Sequence, residues 1–192
     1  MRRPFPLIAA TLLALALAPS ATSAAPARSW AQRQITAVVQ AGLMAPSVAE
    51  FRPADAITQS ELDALIGGLT QQPVPAGYKD RPVTIASLDL QLVDALGLAP
   101  AAQEFNQGAR AAGLAVPERF GSEAVARLLG LRRNHPAKQD SLELLPGDPA
   151  TRAEAAFSAA KILSFTGDEV TYLNPTPSMG GGPAKVTYRR AK

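Results

Sequence analysis

Two nine-residue segments of this chain share one pattern, Pro-x-Asp-x-(Ile or Ala)-Thr-x-(Ser or Ala)-Glu, and each leads into an apolar run. The segments are Pro53 to Glu61 and Pro146 to Glu154. In both, the Thr precedes the Glu by three residues, which is the spacing of a capping box at the start of a helix. Capping requires neither the Pro nor the Asp that the segments also share. The pattern therefore predicts a repeated structural unit rather than two unrelated helix starts.

A degenerate third copy of the motif lies at 83–88, where Thr84 is present but Ser87 stands in the place of the Glu. Apolar residues at helical spacing precede or follow all three copies, which predicts an all-α fold. Four glycines are predicted to end helices: Gly42, Gly97, Gly113 and Gly130.

The segment between the degenerate copy and the second full motif carries two further predictions. Ser122 is predicted to cap a helix over 123–129, and 132–140 is predicted to be a polar loop. This loop contains His135, the chain's one histidine, and the chain has no cysteine. Disulfides, thiolate metal sites, thiol nucleophiles and multi-histidine metal clusters are therefore excluded.

The 192 residues suffice for one modest domain with a buried core. Residues 1–27 combine Arg2 and Arg3 with a short apolar run and small residues, the pattern of a secretory signal peptide. Residues 166–192 lack a sustained period and end basic, so a mostly disordered tail is predicted. Setting aside the six basic residues in the leader and the last eight positions leaves 13 against 16 acidic ones. We therefore expect no nucleic-acid partner.

Trp30 at the start of a helix, Gly42-Leu43 at its end and Ile57-Thr58-x-x-Glu61 together resemble the S-layer homology (SLH) repeat. Its signature is Thr-Arg-Ala-Glu at the start of the second helix, and Thr151 to Glu154 match that signature without a change. The resemblance covers 28–165. It implies a compact helical assembly of about three helix-loop-helix repeats, with the middle one degenerate and with pseudo-threefold symmetry.

In the SLH family, the signature Arg helps to bind an anionic cell-wall glycan, often one carrying a pyruvate ketal, in grooves between repeats. Only Arg152 occupies that position here, because Gln59 and Ile85 stand at the corresponding positions of the other copies. The resemblance implies a ligand-binding set of Arg152, Thr151, Glu154, Gln59, Thr84 and Trp30.

Each of these residues also has an ordinary structural interpretation. Arg152 could be a solvated residue in the first helical turn, and the Thr and Glu side chains could serve only as caps. Trp30 could stack on a sugar or could anchor a helix as a half-buried aromatic residue.

The sequence thus favours a secreted, extracellular, noncatalytic module associated with the cell wall, with no metal, cofactor or catalytic residue and no transmembrane segment after signal cleavage. Its expected partner is a cell-wall polysaccharide or a peptidoglycan-linked anionic polymer. One alternative comes from 120–160, which is similar to the wall-targeting region before NlpC-type peptidase domains. The chain would then be a truncated relative of a peptidoglycan hydrolase without its catalytic domain. The other alternative is an interaction domain for an envelope protein.

Overall fold

A computed structural model describes residues 29–73, 80–133 and 143–165. Within these ranges the chain forms six helices and no strand, which confirms the predicted all-α fold. The helices are α1 (Gln32–Gln40), α2 (Gln59–Thr70), α3 (Ile85–Ala95), α4 (Ala99–Ala111), α5 (Phe120–Leu128) and α6 (Arg152–Leu163). The predicted leader 1–27 and tail 166–192 lie outside the described residues, as do 74–79 and 134–142, so the predictions made for them stay predictions.

The three Thr residues of the motif each cap a helix, as their spacing predicts. Thr58, Thr84 and Thr151 have extended backbones, and each hydroxyl accepts a hydrogen bond from the backbone N–H three residues later. At α2 the capping box is complete, since the Glu61 carboxylate also accepts from the Thr58 N–H at 3.0 Å. The degenerate copy at Thr84 therefore still begins a helix, with Ser87 as its N3 residue.

The three motif segments meet through a closed cycle of backbone hydrogen bonds. The Val83 N–H donates to the Ile57 carbonyl at 3.0 Å, the Ala150 N–H to Val83 at 2.8 Å, and the Ile57 N–H to Ala150 at 2.9 Å. Ile57, Val83 and Ala150 are all buried. Each segment thus pairs with the other two, and we call 55–59, 81–85 and 148–152 together the motif ring.

A second cycle fixes the first residue of each capped helix to the neighbouring segment. The Gln59 N–H donates to the Arg81 carbonyl, Ile85 to Asp148 and Arg152 to Asp55, all at 2.8 or 2.9 Å. The N-termini of α2, α3 and α6 consequently lie around one centre. Residues far apart in the chain occupy equivalent places in this arrangement.

The other helices pack around the three capped ones. The first helix, α1, packs against α6, while α5 packs against both α3 and α4. At the α4–α5 contact Gly121 is so close to the Ala102 carbonyl that an added Cβ would lie 1.8 Å from its oxygen. The core is almost entirely aliphatic and includes Phe51 as its largest fully buried side chain.

Several local predictions are confirmed and others are wrong. All four glycines predicted to end helices have positive φ, between 68° and 80°. Ser122, however, lies inside α5 and donates to the Arg119 carbonyl, so it is not a cap, and α5 begins at Phe120. Trp30 precedes α1, which begins at Gln32.

The predicted division into three helix-loop-helix repeats is not confirmed. Two capped helices do follow a helix and a loop, since α1 precedes α2 and α5 precedes α6. Among the described residues no helix stands between α2 and α3, and α4 follows α3 without a counterpart in the other copies. What the structure shows is the equivalence of the motif segments in the motif ring.

Candidate functional site

Arg152 is the first residue of α6, and its side chain reaches into the loop between α1 and α2. Its Nε donates to the Phe51 carbonyl and its Nη2 to the Met44 carbonyl, both at 2.7 Å, while Nη1 pairs with the Glu61 carboxylate. The guanidinium also lies 5.1 Å from the centre of the Phe51 ring. The side chain is only 4% exposed. The structure therefore places Arg152 as a buried clamp between α6, α2 and this loop, and not as a solvated first-turn residue.

Glu61 serves two helices at once. One carboxylate oxygen completes the capping box of α2 by accepting the Thr58 N–H, and the other accepts from Arg152 of α6. A charged hydrogen bond of this kind is stronger than a neutral one. The capping interpretation of Glu61 is confirmed, and the same side chain holds Arg152 in place.

A pocket of about 420 Å³ opens beside this clamp. It is lined by Met44, Ala45, Pro46, Glu50, Arg52, Glu61 and Arg152. Of the six predicted ligand-binding residues, Arg152 alone lines this pocket. We call it the Arg152 pocket.

Arg52 supplies the accessible positive charge of the Arg152 pocket. Its side chain is 65% exposed, its nearer partner is the Asp55 carboxylate at 3.2 Å, and the Glu61 carboxylate lies 4.0 Å away. The backbone of Arg52 is left-handed, with φ of 51°, which is uncommon for a residue with a side chain. Sequence analysis did not single out Arg52, although it directly precedes the Pro of the first motif.

Glu50 supplies a second accessible charge of opposite sign. It is exposed, and its carboxylate accepts a hydrogen bond from the Ser47 hydroxyl at 2.8 Å. No salt bridge joins Glu50 to a basic residue in the part of the chain that the structure describes. The pocket thus carries two guanidinium groups and two carboxylates.

The helix N-termini of the motif ring do not offer free backbone donors to an anion. In α6, the first three N–H groups donate to the Asp55 carbonyl, the Pro53 carbonyl and the Thr151 hydroxyl. In α3 the corresponding acceptors are Asp148, Pro146 and Thr84. Any ligand at these termini must therefore be recognised by side chains, although helix N-termini commonly bind anions through their backbone.

At the N-terminus of α2, a carboxylate of the protein accepts one of the backbone N–H groups. Asp80 accepts from the Ser60 N–H at 3.0 Å and from the Ser60 hydroxyl at 2.9 Å. The hydrogen bond from the Ser60 backbone is the main reason why the pKa of Asp80 lies below its ordinary value. The N-terminus of α2 is thus already occupied by an anion of the protein itself.

The remaining predicted ligand-binding residues are not gathered in one groove. Gln59 exchanges hydrogen bonds with Gln91, and this amide pair joins α2 to α3. Thr84 and Thr151 are caps, and Glu154 is the N3 residue of α6. Ile85, the counterpart of Arg152 in the degenerate copy, is fully buried.

Trp30 lies at the opposite end of α1 from the Arg152 pocket. Nine helical residues, about 13 Å at 1.5 Å per residue, separate it from the loop that contains Met44. Its ring is 5.7 Å from that of Phe157, the Arg133 guanidinium lies 4.7 Å above it, and 44% of the residue is exposed. This contact pattern fits a half-buried helix anchor, which was one of the two interpretations of Trp30.

A second buried arginine was missed because 132–140 was predicted to be a polar loop. Arg132 is buried and donates to the Asp89 carboxylate at 2.9 Å and to the Leu144 carbonyl at 3.4 Å. The other oxygen of Asp89 is buried without a hydrogen-bond partner. Burial raises the pKa of Asp89 to about 6, although the positive charge and the hydrogen bond of Arg132 act to lower it. The sequence did contain a signal for this buried ion pair, because Asp89 lies on the apolar face of α3, next to Leu88 and near Leu92.

Comparison with protein-family models, with curated proteins and with solved structures finds no match for this chain. The SLH resemblance therefore stays a prediction based on the residues that carry it. In the described ranges no group of three or more His, Asp or Glu side chains is placed to hold a metal ion. None of the helices described here combines the length and the apolar content of a membrane span.

Proposed function

We propose that this chain is an SLH-like, noncatalytic module of the cell envelope, secreted and held noncovalently on anionic cell-wall glycan by the Arg152 pocket. The observation that carries the proposal is the pocket itself, because its volume of about 420 Å³ accommodates a sugar-sized group beside an accessible guanidinium. The signature segment Thr151 to Glu154 forms one wall of the site through its Arg.

The two arginines have different roles in this proposal. Arg152 uses three of its donor groups on the protein, so it holds the pocket wall in place. Arg52 is mostly exposed and can turn its planar guanidinium towards a ligand carboxylate, with which arginine forms paired hydrogen bonds. A ligand would compete with Asp55 for this guanidinium, and that competition keeps the expected affinity of one pocket modest.

Co-sedimentation with purified cell walls tests the proposal. The full chain should sediment with intact walls and should stay in solution after acid treatment has removed the secondary polymers. Arg52→Gln should weaken binding about tenfold, the loss expected for one charge-assisted hydrogen bond. Arg110→Gln, at an exposed position in the last turn of α4, is the matched control and should bind like the unchanged protein. The proposal would be refuted if neither acid treatment nor Arg52→Gln changed the amount of protein that sediments.

A role as an envelope protein interaction domain is the second candidate. The three most exposed large apolar side chains of the described residues favour it: Leu114, Leu128 and Leu145. Each is more than half exposed, and a partner that covered such side chains would remove their apolar surface from water. Substituting all three by Ser should leave wall binding unchanged if the Arg152 pocket is the binding site. Loss of wall binding in this variant, with Arg52→Gln unaffected, would favour a protein partner in the wall preparation.

A further inference from the structure

The charges of the Arg152 pocket indicate more about its ligand than a negative charge alone. We propose, resting on the function proposed above, that the pocket binds a dipolar group of the cell wall, one carrying both a carboxylate and a protonated primary amine. Arg52 would hold the carboxylate and Glu50 the ammonium. An amino sugar with a free amine, next to an acidic sugar of the secondary polymer, has this chemistry, whereas a ketal of pyruvate on a neutral sugar does not.

The four charged side chains of the pocket form two pairs: one pair is bound within the protein, and the other is accessible to a ligand. Arg152 and Glu61 bind each other, and both also bind groups of the protein. Their charges therefore cancel locally. Arg52 and Glu50 are both exposed, lie two residues apart and line the same pocket. A ligand entering from solvent meets one positive and one negative side chain of this accessible pair.

Glu50 has unused hydrogen-bonding capacity. One oxygen accepts from the Ser47 hydroxyl, and a carboxylate can accept several hydrogen bonds in total. The salt bridges within the described residues include none to Glu50. An ammonium group, with three donors and a full positive charge, would bind this exposed carboxylate in place of water.

A purely anionic ligand is less well suited to this pocket. Its charge would lie near the carboxylate of Glu50 as well as near the guanidinium of Arg52, while the paired charges of Arg152 and Glu61 offset each other. The negative charges of the ligand and of Glu50 would repel each other within the pocket, and this repulsion would select against ligands that carry no positive charge. An ammonium on the ligand converts the contact with Glu50 from repulsion to attraction. Met44, Ala45 and Pro46 add a mostly apolar wall for the carbon frame that joins the two charges.

Chemical blocking of wall amines tests the inference on the unchanged protein. Purified sacculi are divided, and in one half the free amines are N-acetylated with acetic anhydride, which removes their positive charge and leaves the carboxylates. Binding of the full chain is then measured by co-sedimentation. The soluble probes are secondary polymers released from the same walls by acid, with and without acetylation, and their binding is measured by titration calorimetry. Acetylation should weaken binding about tenfold in both assays.

Two variants connect this loss to Glu50. Glu50→Gln should bind native walls about tenfold more weakly and should show no further loss on acetylated walls. Glu118→Gln, which removes an exposed carboxylate before α5, is the matched control and should keep the full dependence on free amines.

The outcomes separate this inference from the proposed function. Binding that needs Arg52 and the acid-labile polymer but ignores acetylation overturns the dipolar ligand and leaves the proposed function standing. The dipolar ligand is also overturned if acetylation weakens the binding of Glu50→Gln as much as that of the unchanged protein, because the amine would then contact a residue other than Glu50. An absence of binding to any wall preparation refutes the proposed function, and the dipolar ligand with it.

Discussion

Arg152 illustrates how one side chain can define a site without being its most accessible charge. Its three partners lie 91, 101 and 108 residues away in the chain, so its hydrogen bonds hold together segments that the sequence separates widely. Removing a buried charge also leaves its partners unsatisfied, and that penalty is larger than the net value of the bonds themselves. The residue is therefore a structural requirement of the pocket before any ligand arrives.

Arg152→Ala should lower the free energy of unfolding by about 3 kcal/mol, because it leaves the buried Phe51 carbonyl, the partly buried Met44 carbonyl and one oxygen of Glu61 without their donor. Urea denaturation measures this. Arg52→Ala is the control, since Arg52 is exposed, and its effect should stay within about 0.5 kcal/mol. Equal stability of the two variants would contradict the clamp.

Asp89 is the residue whose ionisation should couple folding to pH. Burial raises its pKa to about 6 from an ordinary value of 3.8, so the folded protein retains this proton to a higher pH than the unfolded chain does. The resulting stabilisation is fully present below pH 3.8 and is lost as the pH rises through 6. At about 1.4 kcal/mol per pKa unit the total is at most about 3 kcal/mol.

Asp89→Asn tests this coupling, because the amide keeps an acceptor for Arg132 but cannot ionise. Unfolding by urea is followed at several pH values between 3.5 and 7.5 in both proteins. Relative to the variant, the unchanged protein should lose stability as the pH rises from 4 to 7. Other carboxylates contribute equally to both proteins and cancel in this difference. A difference that is independent of pH would show that Asp89 has no raised pKa.

At the scale of elements, the contact between α4 and α5 depends on the absence of a side chain at Gly121. Asn106 of α4 reinforces this contact, since its side chain accepts from the Gly121 N–H and donates to the Glu118 carbonyl. A Cβ at 121 would collide with the backbone of Ala102, which cannot turn away as a long side chain could. The two helices would have to separate.

Gly121→Ala should therefore destabilise the protein by about 1 to 3 kcal/mol, the usual cost of overpacking. Gly108→Ala is a matched control on α4, because nothing lies within 4 Å of its added Cβ. This control should instead stabilise the protein by about 0.5 to 1 kcal/mol through the better helix propensity of Ala. Thermal unfolding compares the two variants, and effects of the same sign would argue against the close α4–α5 contact.

At the scale of the whole molecule, the motif ring connects the three capped helices into one unit. Its central donors are the amides of Ile57, Val83 and Ala150, and all three residues are buried. Opening one of these bonds exposes the others, because each segment pairs with both of its neighbours. The ring should therefore open only when the protein unfolds globally.

Native-state hydrogen exchange measures this cooperativity. The amides of Ile57, Val83 and Ala150 should exchange with the same free energy, equal to that of global unfolding. The Gly113 amide, which bonds to Arg110 at the exposed end of α4, should exchange through local fraying with a much lower free energy. Exchange of one ring amide well below the other two would show that the segments are not a single cooperative unit.

The sequence by itself determined the helix caps and helix ends. Thr58, Thr84 and Thr151 satisfy donors three residues away, and a glycine such as Gly42 ends a helix through its own φ, so both effects are local. Tertiary structure alone decided which charges form the pocket. Nothing near Arg152 in the sequence indicates its bonds to Met44 and Phe51, because the motif ring brings that loop to α6 from about a hundred residues away.

The same distinction explains Arg132 and Arg52, two arginines with ordinary polar neighbours in the sequence. The fold buries Arg132 against Asp89 and leaves Arg52 exposed at the pocket. Whether a charged side chain faces solvent or a buried partner depends on which segments pack beside it. Local sequence patterns do not contain that information, whereas the packing of α3, α5 and the α1–α2 loop does.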